Sequence, residues 1–532
     1  MYEKIKSYWQ SEKQNIIFCF MATFIIGLAA HAYVMLNNNM SHDWLNAFVA
    51  TDIENITKIR VGRYIVPLYR AIFRNSIALP WLIGLISLLW YSVSSYLIAR
   101  IFDIKSRIIT VLISGIVVTN ITVTAQFATY LHEADFNAFA LLLAVAASYV
   151  WKMHTKIYHL IPGAIFLFIS MGIYQSYVCV TIMLIICASV LDLFEEKSIK
   201  NVITRGFLGI CLIITAFVVC IAVGKLICYI MDISQKSRVN ALSIFSSGEN
   251  IVKIVFEEIL FFARELFHPA YSKELMLVIF TLTALIILSL VIYVFVKKRF
   301  EVQRISLILV LFACIPIGAC AIFIIAYGIW VHDLMLYAVW LSWVMVIVLS
   351  CRLLIHIPKI TYKRILNCTV CAFVAVIIWQ NIIISNTVYI KKDIVAQSSF
   401  STMTRVLDRI EQYPDYIKGQ TPLAFIGVPN HGELNNPYDE IADFRDINSV
   451  LLADINEVFY SDTNNDIFNT YAAYFKYVLN SPVTICDSEK RRSKKYAYFP
   501  CRRISSYDRR CPCCKSWIDP SLQRRKVIHS DA

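Results

Sequence analysis

The chain has 532 residues, of which 58% are hydrophobic and only 16% charged, and its mean hydropathy is +0.61. Those values exclude an ordinary soluble globular protein and a disordered one, and imply a polytopic membrane protein. The formal net charge of +13 does not imply nucleic acid as a partner, because Lys and Arg fall in short tracts between apolar runs rather than on one face.

Apolar runs near the 20 residues needed to cross hydrocarbon lie at 16–36, 77–98, 108–124, 136–151, 158–173, 176–194, 206–230, 276–296, 305–327, 334–351 and 365–384. They predict an all-α body of about eleven crossings, spanning residues 1–385. No small-residue cleavage pattern follows the first run, so it is expected to stay as an anchor. The segment Gly172-Ile173-Tyr174-Gln175-Ser176 either turns the chain between two spans or interrupts one.

Lys and Arg recur in alternate connections: Lys4, Lys6 and Lys13; Arg100, Lys105 and Arg107; Lys152 and Lys156; Lys197, Lys200 and Arg205. The series continues with Lys297, Lys298, Arg299 and Arg304, and with Arg352, Lys359, Lys363 and Arg364, whereas 125–135 has no Lys or Arg. The bias predicts a cytoplasmic N-terminus and, with eleven spans, an extracytoplasmic C-terminus. Segments 37–76, 125–135, 231–275 and everything after about 385 then face outwards. Within them, 65–74 and 249–271 read as amphipathic helices at the membrane surface.

After Ser385 the composition changes. A helix over 398–413, a short buried strand over 422–428 and a helix or strand pair over 446–460 predict a small extracytoplasmic α/β domain covering 386–500. The Cys- and Arg-rich tail, 501–532, fits neither this domain nor a span and is expected to be poorly ordered. Eleven of the sixteen cysteines lie in apolar runs, where a thiol acts as a small hydrophobe, so no disulfide framework is expected. Cys486 and Cys501 are a candidate pair in an oxidising compartment, and CysProCysCys at 511–514 lacks the paired spacing of a zinc site.

Chemistry is best sought in the polar segment 37–63, which carries His42, Asp43, Asp52, Glu54, Arg60 and Arg63 between the first two spans. Asp43, in Ser41-His42-Asp43-Trp44, either serves as a general base towards an acceptor hydroxyl or caps a helix beginning at Trp44. Trp44 offers a platform for a sugar ring. Arg60 and Arg63 suit a lipid-linked phosphate, because a guanidinium donates two parallel hydrogen bonds; the alternative is an internal network of Asp52, Glu54, Lys58 and Arg60.

A second polar cluster, Tyr130-Leu131-His132-Glu133-Ala134-Asp135, precedes the fourth span. Its carboxylates either orient a hydroxyl or are simply solvated, and the His and acid spacing specifies no metal-ligand set. Tyr174, Gln175 and Lys225 lie at membrane depth or its edge; the first two are expected to face protein, and Lys225 to snorkel.

The order of these features resembles the phage-type O-antigen glucosyltransferases of the GtrII-like family. It rests on HisAsp after the first span, GRYIVPLY at 62–69, TyrLeuHisGluAlaAsp at 130–135, GlyIleTyrGlnSer at 172–176 and a C-terminal outside domain, over most of 15–500. The resemblance implies an inverting glycosyltransferase of the C-type superfold in the bacterial inner membrane. It moves glucose from a polyprenyl-phosphate donor to a surface polysaccharide or its lipid-linked precursor, beside a flippase and a cytoplasmic sugar-loading enzyme. No cofactor is implied with certainty, since branches of the family are metal-independent or assisted by a divalent cation.

Carried over by motif, the resemblance puts the catalytic acid on Asp43, the arginine position on Arg63 and the second-loop acid on Asp135, with Glu133 beside it. His42, Trp44, Tyr130, His132, Tyr174 and Gln175 become candidate substrate contacts, and Arg60 joins Arg63 at the donor phosphate. The end departs from the family pattern, because AYFPC at 497–501 runs into the Cys- and Arg-rich tail. The alternative function is a transporter or flippase for lipid-linked sugars, which would favour charges near the midplane and internal repeats; neither is visible. A non-catalytic scaffold for the export machinery is a third reading.

Overall fold

A computed structural model of the protein describes residues 2–37, 41, 45, 51–75, 78–234, 251–267, 274–326, 331–423 and 464–485. In chain order the principal helices are α1 (Tyr2–Leu36), α2 (Thr51–Arg60), α3 (Val66–Phe73), α4 (Pro80–Ile101), α5 (Arg107–Thr119) and α6 (Ile121–Tyr130). They continue with α7 (Ala134–Met153), α8 (Ile161–Ile173), α9 (Val178–Phe194), α10 (Ile199–Ile230) and α11 (Ile251–Phe267). The last are α12 (Glu274–Lys298), α13 (Val302–Ala319), α14 (Tyr337–Leu353), α15 (Ile360–Glu411) and α16 (Asn464–Tyr477).

Nine helical stretches among the described residues are long and apolar enough to cross a membrane. The eleven expected runs all fall on these or on the shorter helical stretch Ile157–Ile173. The two numbers differ by two because one 47-residue stretch, Arg107–Met153, holds two of the runs and the run at 158–173 falls on the shorter stretch, which is not among the nine.

That stretch is divided by Asn120, whose backbone leaves the helical region at φ −62°, ψ 155°. Its amide nitrogen donates to the carbonyls of Ile116 and Val117, both at 3.0 Å, and its oxygen accepts from Val123 N at 3.2 Å. One side chain thus closes α5 and caps α6. The Gly172–Ser176 segment proves to be a turn between two helices: α8 ends at Ile173, Tyr174 is extended, and a 3₁₀ turn leads into α9.

The basic connections meet at one end of the bundle. Asp103, Lys152, Lys197, Lys298 and Arg352, one from each of five connections, line a cavity of about 510 Å³ there. Arginines at this end donate to the last carbonyls of neighbouring helices: Arg352 to Phe102 O at 2.9 Å, Arg205 to Trp151 O at 3.0 Å, and Arg304 to Leu193 O at 2.9 Å. Cations there satisfy orphan acceptors and oppose the helix dipoles.

The amphipathic expectation for 249–271 is met by α11, but its buried face carries an acid. Glu258 lies there with Ile254 and Phe262, and neither of its carboxylate oxygens has a partner. Burial pushes its pKa up to about 7. Glu265, on the same helix, also rises to about 7 by burial and then by the charge of Asp333, which burial itself raises to about 6. A carboxyl raised in the folded state stabilises below its ordinary pKa, and that contribution is lost as pH climbs through the folded value. Glu258→Gln, which copies the neutral acid, is therefore expected to leave stability unchanged near pH 4.5 and add about 1–3 kcal/mol at pH 8. Thermal unfolding of the two purified proteins at both pH values checks it; equal melting temperatures at pH 8 would count against it.

The described residues up to Ile394 form one compact unit and those from Val395 another. The boundary expected at 385/386 therefore moves. Chain through Ser385 stays helical inside α15, where its hydroxyl donates to Asn381 O at 2.8 Å and lies 2.7 Å from Thr124 Oγ1 of α6. The second unit contains the end of α15, α16 and two short parallel strands, β1 (Pro422–Leu423) and β2 (Thr484–Ile485). The rest of the expected α/β domain, including 446–460 and Cys486, lies outside the described residues, as does the tail 501–532. All eleven described cysteines are free thiols.

Candidate active site

The site is built on the turn that ends α2. Gly62 adopts φ 85°, and the amides of Gly62 and Arg63 return to the carbonyls of Ile59 (2.9 Å) and Lys58 (2.8 Å). This glycine-closed helix end places Lys58 in the last turn of α2 and Arg63 just beyond it. The α8–α9 turn holds the segment from the other side. Gln175 Nε2 donates to Gly62 O at 3.1 Å, and Ile65 N to Gly172 O at 3.0 Å. A Cβ on Gly172 would meet Ile65 Cγ1 at 2.6 Å, so the close approach requires glycine there.

Lys58 and Arg63 converge on Glu133. Lys58 Nζ donates to Glu133 Oε1, Arg63 Nη1 to Oε2 at 3.2 Å, and His132 Nε2 lies 3.7 Å from Oε1. Glu133 is almost fully buried, at 3% exposure, in the 3₁₀ turn Leu131–Glu133 between α6 and α7. The Arg63 guanidinium also stacks over the Tyr174 ring, 4.6 Å from its centroid. The Tyr130 and His132 rings are 6.2 Å apart on the same turn.

Two buried ion pairs lie alongside. Arg74 grips Asp135 through Nε–Oδ2 at 2.6 Å and Nη2–Oδ1 at 3.1 Å, and gives a further bond to His132 O at 2.6 Å. Asp135 occupies the first turn of α7, where the helix dipole favours an anion. Arg70 donates to Glu54 Oε1 at 2.7 Å and lies over the Phe136 ring, while its Nε and Nη1 have no partner.

The residues expected to act together are thus divided. The structure joins Arg63, Glu133, His132, Tyr174 and Gln175, and seats Asp135 beside them on Arg74. Arg60 is not on the cluster: two positions from Lys58 on one helix, it points nearly the opposite way. Its buried Nε has no hydrogen-bond partner. Glu54 pairs with Arg70 rather than with Lys58 or Arg60. His42, Asp43 and Trp44 lie outside the described residues, although Ser41 and Leu45 on either side are fully buried.

Sequence reasoning missed Lys58 as a site residue, together with Arg70, Arg74 and the pair Lys391–Lys392. Arg70 and Arg74 had a signal, since residues at i and i+4 on a short amphipathic helix share a face. Lys392 is buried in α15 and donates to Ala128 O in the last turn of α6, one short step before Tyr130. Among the described residues no group of three or more His, Cys, Asp or Glu side chains is arranged to hold a metal ion.

The glucosyl transferase GtrII family matches residues 32–342, more than half of the chain. The chain belongs to this family. The GtrII match contains α2, α3, Glu133, Asp135 and the Tyr174–Gln175 turn, so the whole charged cluster lies in the family region, while Lys391 and Lys392 lie beyond it. No curated protein and no solved structure matches the chain. GtrII membership together with its many apolar helices makes the protein a membrane glycosyltransferase.

Proposed function

We propose that the protein transfers a hexose, glucose by its family, from a polyprenyl-phosphate carrier to a hydroxyl of a cell-surface polysaccharide such as O-antigen or of its lipid-linked precursor, on the outer face of the plasma membrane. The observation that carries this reading is the GtrII match over a region whose part-buried Lys58–Arg63–Glu133 cluster has the chemistry of a phosphate seat. The donor is a phosphodiester with a lipid tail, which calls for cations at the edge of an apolar body. Asp43 is assigned as the base that takes the acceptor proton, and Lys58 and Arg63 hold the phosphate. Arg60, turned away from that cluster, is given no part in the phosphate seat, while His42, Trp44, Tyr130, His132 and Tyr174 supply sugar contacts. Gln175 holds the Arg63 turn.

The acceptor oxygen attacks the anomeric carbon from the face opposite the phosphate, inverting it in one step. The anomeric C–O bond breaks with its electron pair going to the phosphate oxygen, and the acceptor proton moves to Asp43. No nucleic acid is involved.

Purified full-length protein given polyprenyl-phosphoglucose and a lipid-linked acceptor is expected to form glucosylated acceptor. Carrier movement across a vesicle without transfer would instead indicate a flippase. Arg63→Met is expected to raise the donor KM about tenfold or more, because it removes both a phosphate fork and one of the two cations that hold Glu133. An unchanged KM for that variant would remove Arg63 from the phosphate site.

A further inference from the structure

A carboxylate on the two cations that would hold the donor phosphate is chemically awkward. It competes for the same donors, and burial makes its charge expensive unless the cations stay with it. Glu133 nevertheless bridges them as a phosphate would, one oxygen on Lys58 and the other on Arg63, with the imidazole Nε2 of His132 3.7 Å from the first. Two cations and one carboxylate leave this part of the site with a single surplus positive charge.

The reaction changes the charge of what is bound there. The donor phosphodiester carries one negative charge, whereas the carrier phosphate left after transfer is a monoester with a second pKa near 6 and so carries nearly two at neutral pH. A seat with one surplus charge balances the donor and under-compensates the product. Without Glu133, two surplus charges would match the product instead.

Resting on the phosphate-seat reading above, we propose that Glu133 is a fixed counter-charge that positions Lys58 and Arg63 and sets their affinity for the carrier phosphate, so that the spent carrier leaves. Glu133 is then a positioning residue that governs product release and selects the singly charged lipid. Coulomb energy scales with ligand charge, so removing Glu133 tightens the dianion more than the monoanion. That asymmetry separates a counter-charge from a mere brace, whose loss would weaken both ligands together.

The test uses the full-length protein and polyprenyl phosphate itself as the probe. Glu133→Gln is expected to bind polyprenyl phosphate at pH 8 about tenfold more tightly than wild type. The donor KM falls by a smaller factor, and kcat drops as product release becomes limiting. At pH 5, where the monoester carries one charge, the excess gain for product over donor disappears, each protein being compared with wild type at the same pH so that protonation of His132 acts on both. The double variant K58M/E133Q removes one charge of each sign and is expected to return product affinity close to wild type; it also serves where E133Q alone folds poorly.

Equal or weaker product binding by E133Q overturns the proposal, as does a double variant that binds no better than K58M alone. Failure of the underlying reading looks different. If wild type and R63M bind polyprenyl phosphate equally, the cluster is not a phosphate seat at all, and this proposal falls with it.

Discussion

Asp135→Ala is expected to destabilise the protein more than any other single change around the cluster, by about 3–5 kcal/mol. The side chain is fully buried and takes two hydrogen bonds from Arg74, whose guanidinium is equally enclosed. Removing the carboxylate strands a cation where water cannot reach it. The same physics makes the outcome reversible, because replacing both partners by apolar groups of similar volume costs little or even stabilises. The double variant R74M/D135L should therefore recover most of the lost melting temperature.

That recovery also decides what Asp135 does. If it is the second-loop acid of the reaction, the refolded double variant stays inactive; if its work is to anchor Arg74 and the 131–133 turn, transfer returns with the fold. Melting temperature and transfer rate, measured on the same preparations, separate the two. A loss below about 1 kcal/mol for Asp135→Ala would show that the ion pair is not what holds this corner.

Much of the fold was legible because a bilayer imposes a length and a hydropathy that single segments either meet or fail. The break at Asn120 was hidden, since the residues on both sides are equally apolar and the change is one of hydrogen bonding by a single side chain. The boundary near 385 was misplaced for a related reason. Asn381, Ser385 and Lys391–Lys392 look like the start of a polar domain, yet they are buried polar groups on a continuing helix. At the site, local motifs pointed to Arg63 and Glu133 but not to their union. Lys58 and Glu133 are far apart in the chain, as are Arg74 and Asp135, and nothing in either segment records which cation meets which acid. Asp43 was picked out by its position after the first span and by the HisAsp motif of the family resemblance.

Asp43→Asn is expected to reduce glucosyl transfer about 10²–10⁴-fold, the range contributed by a positioned general base, with insertion, melting temperature and donor KM close to wild type. The substitution keeps size and hydrogen-bonding capacity and removes only the ability to hold a proton. An acceptor hydroxyl is a poor nucleophile until it begins to lose that proton, so the loss falls on kcat rather than on donor binding. If Asp43 were instead a helix cap, Asn would replace it well, since Asn and Asp cap about equally, and transfer would persist. An active, correctly inserted Asp43→Asn protein would return the base to another carboxylate. Glu133 is a poor substitute, because a carboxylate held by Lys58 and Arg63 is too strongly stabilised as an anion to accept the proton.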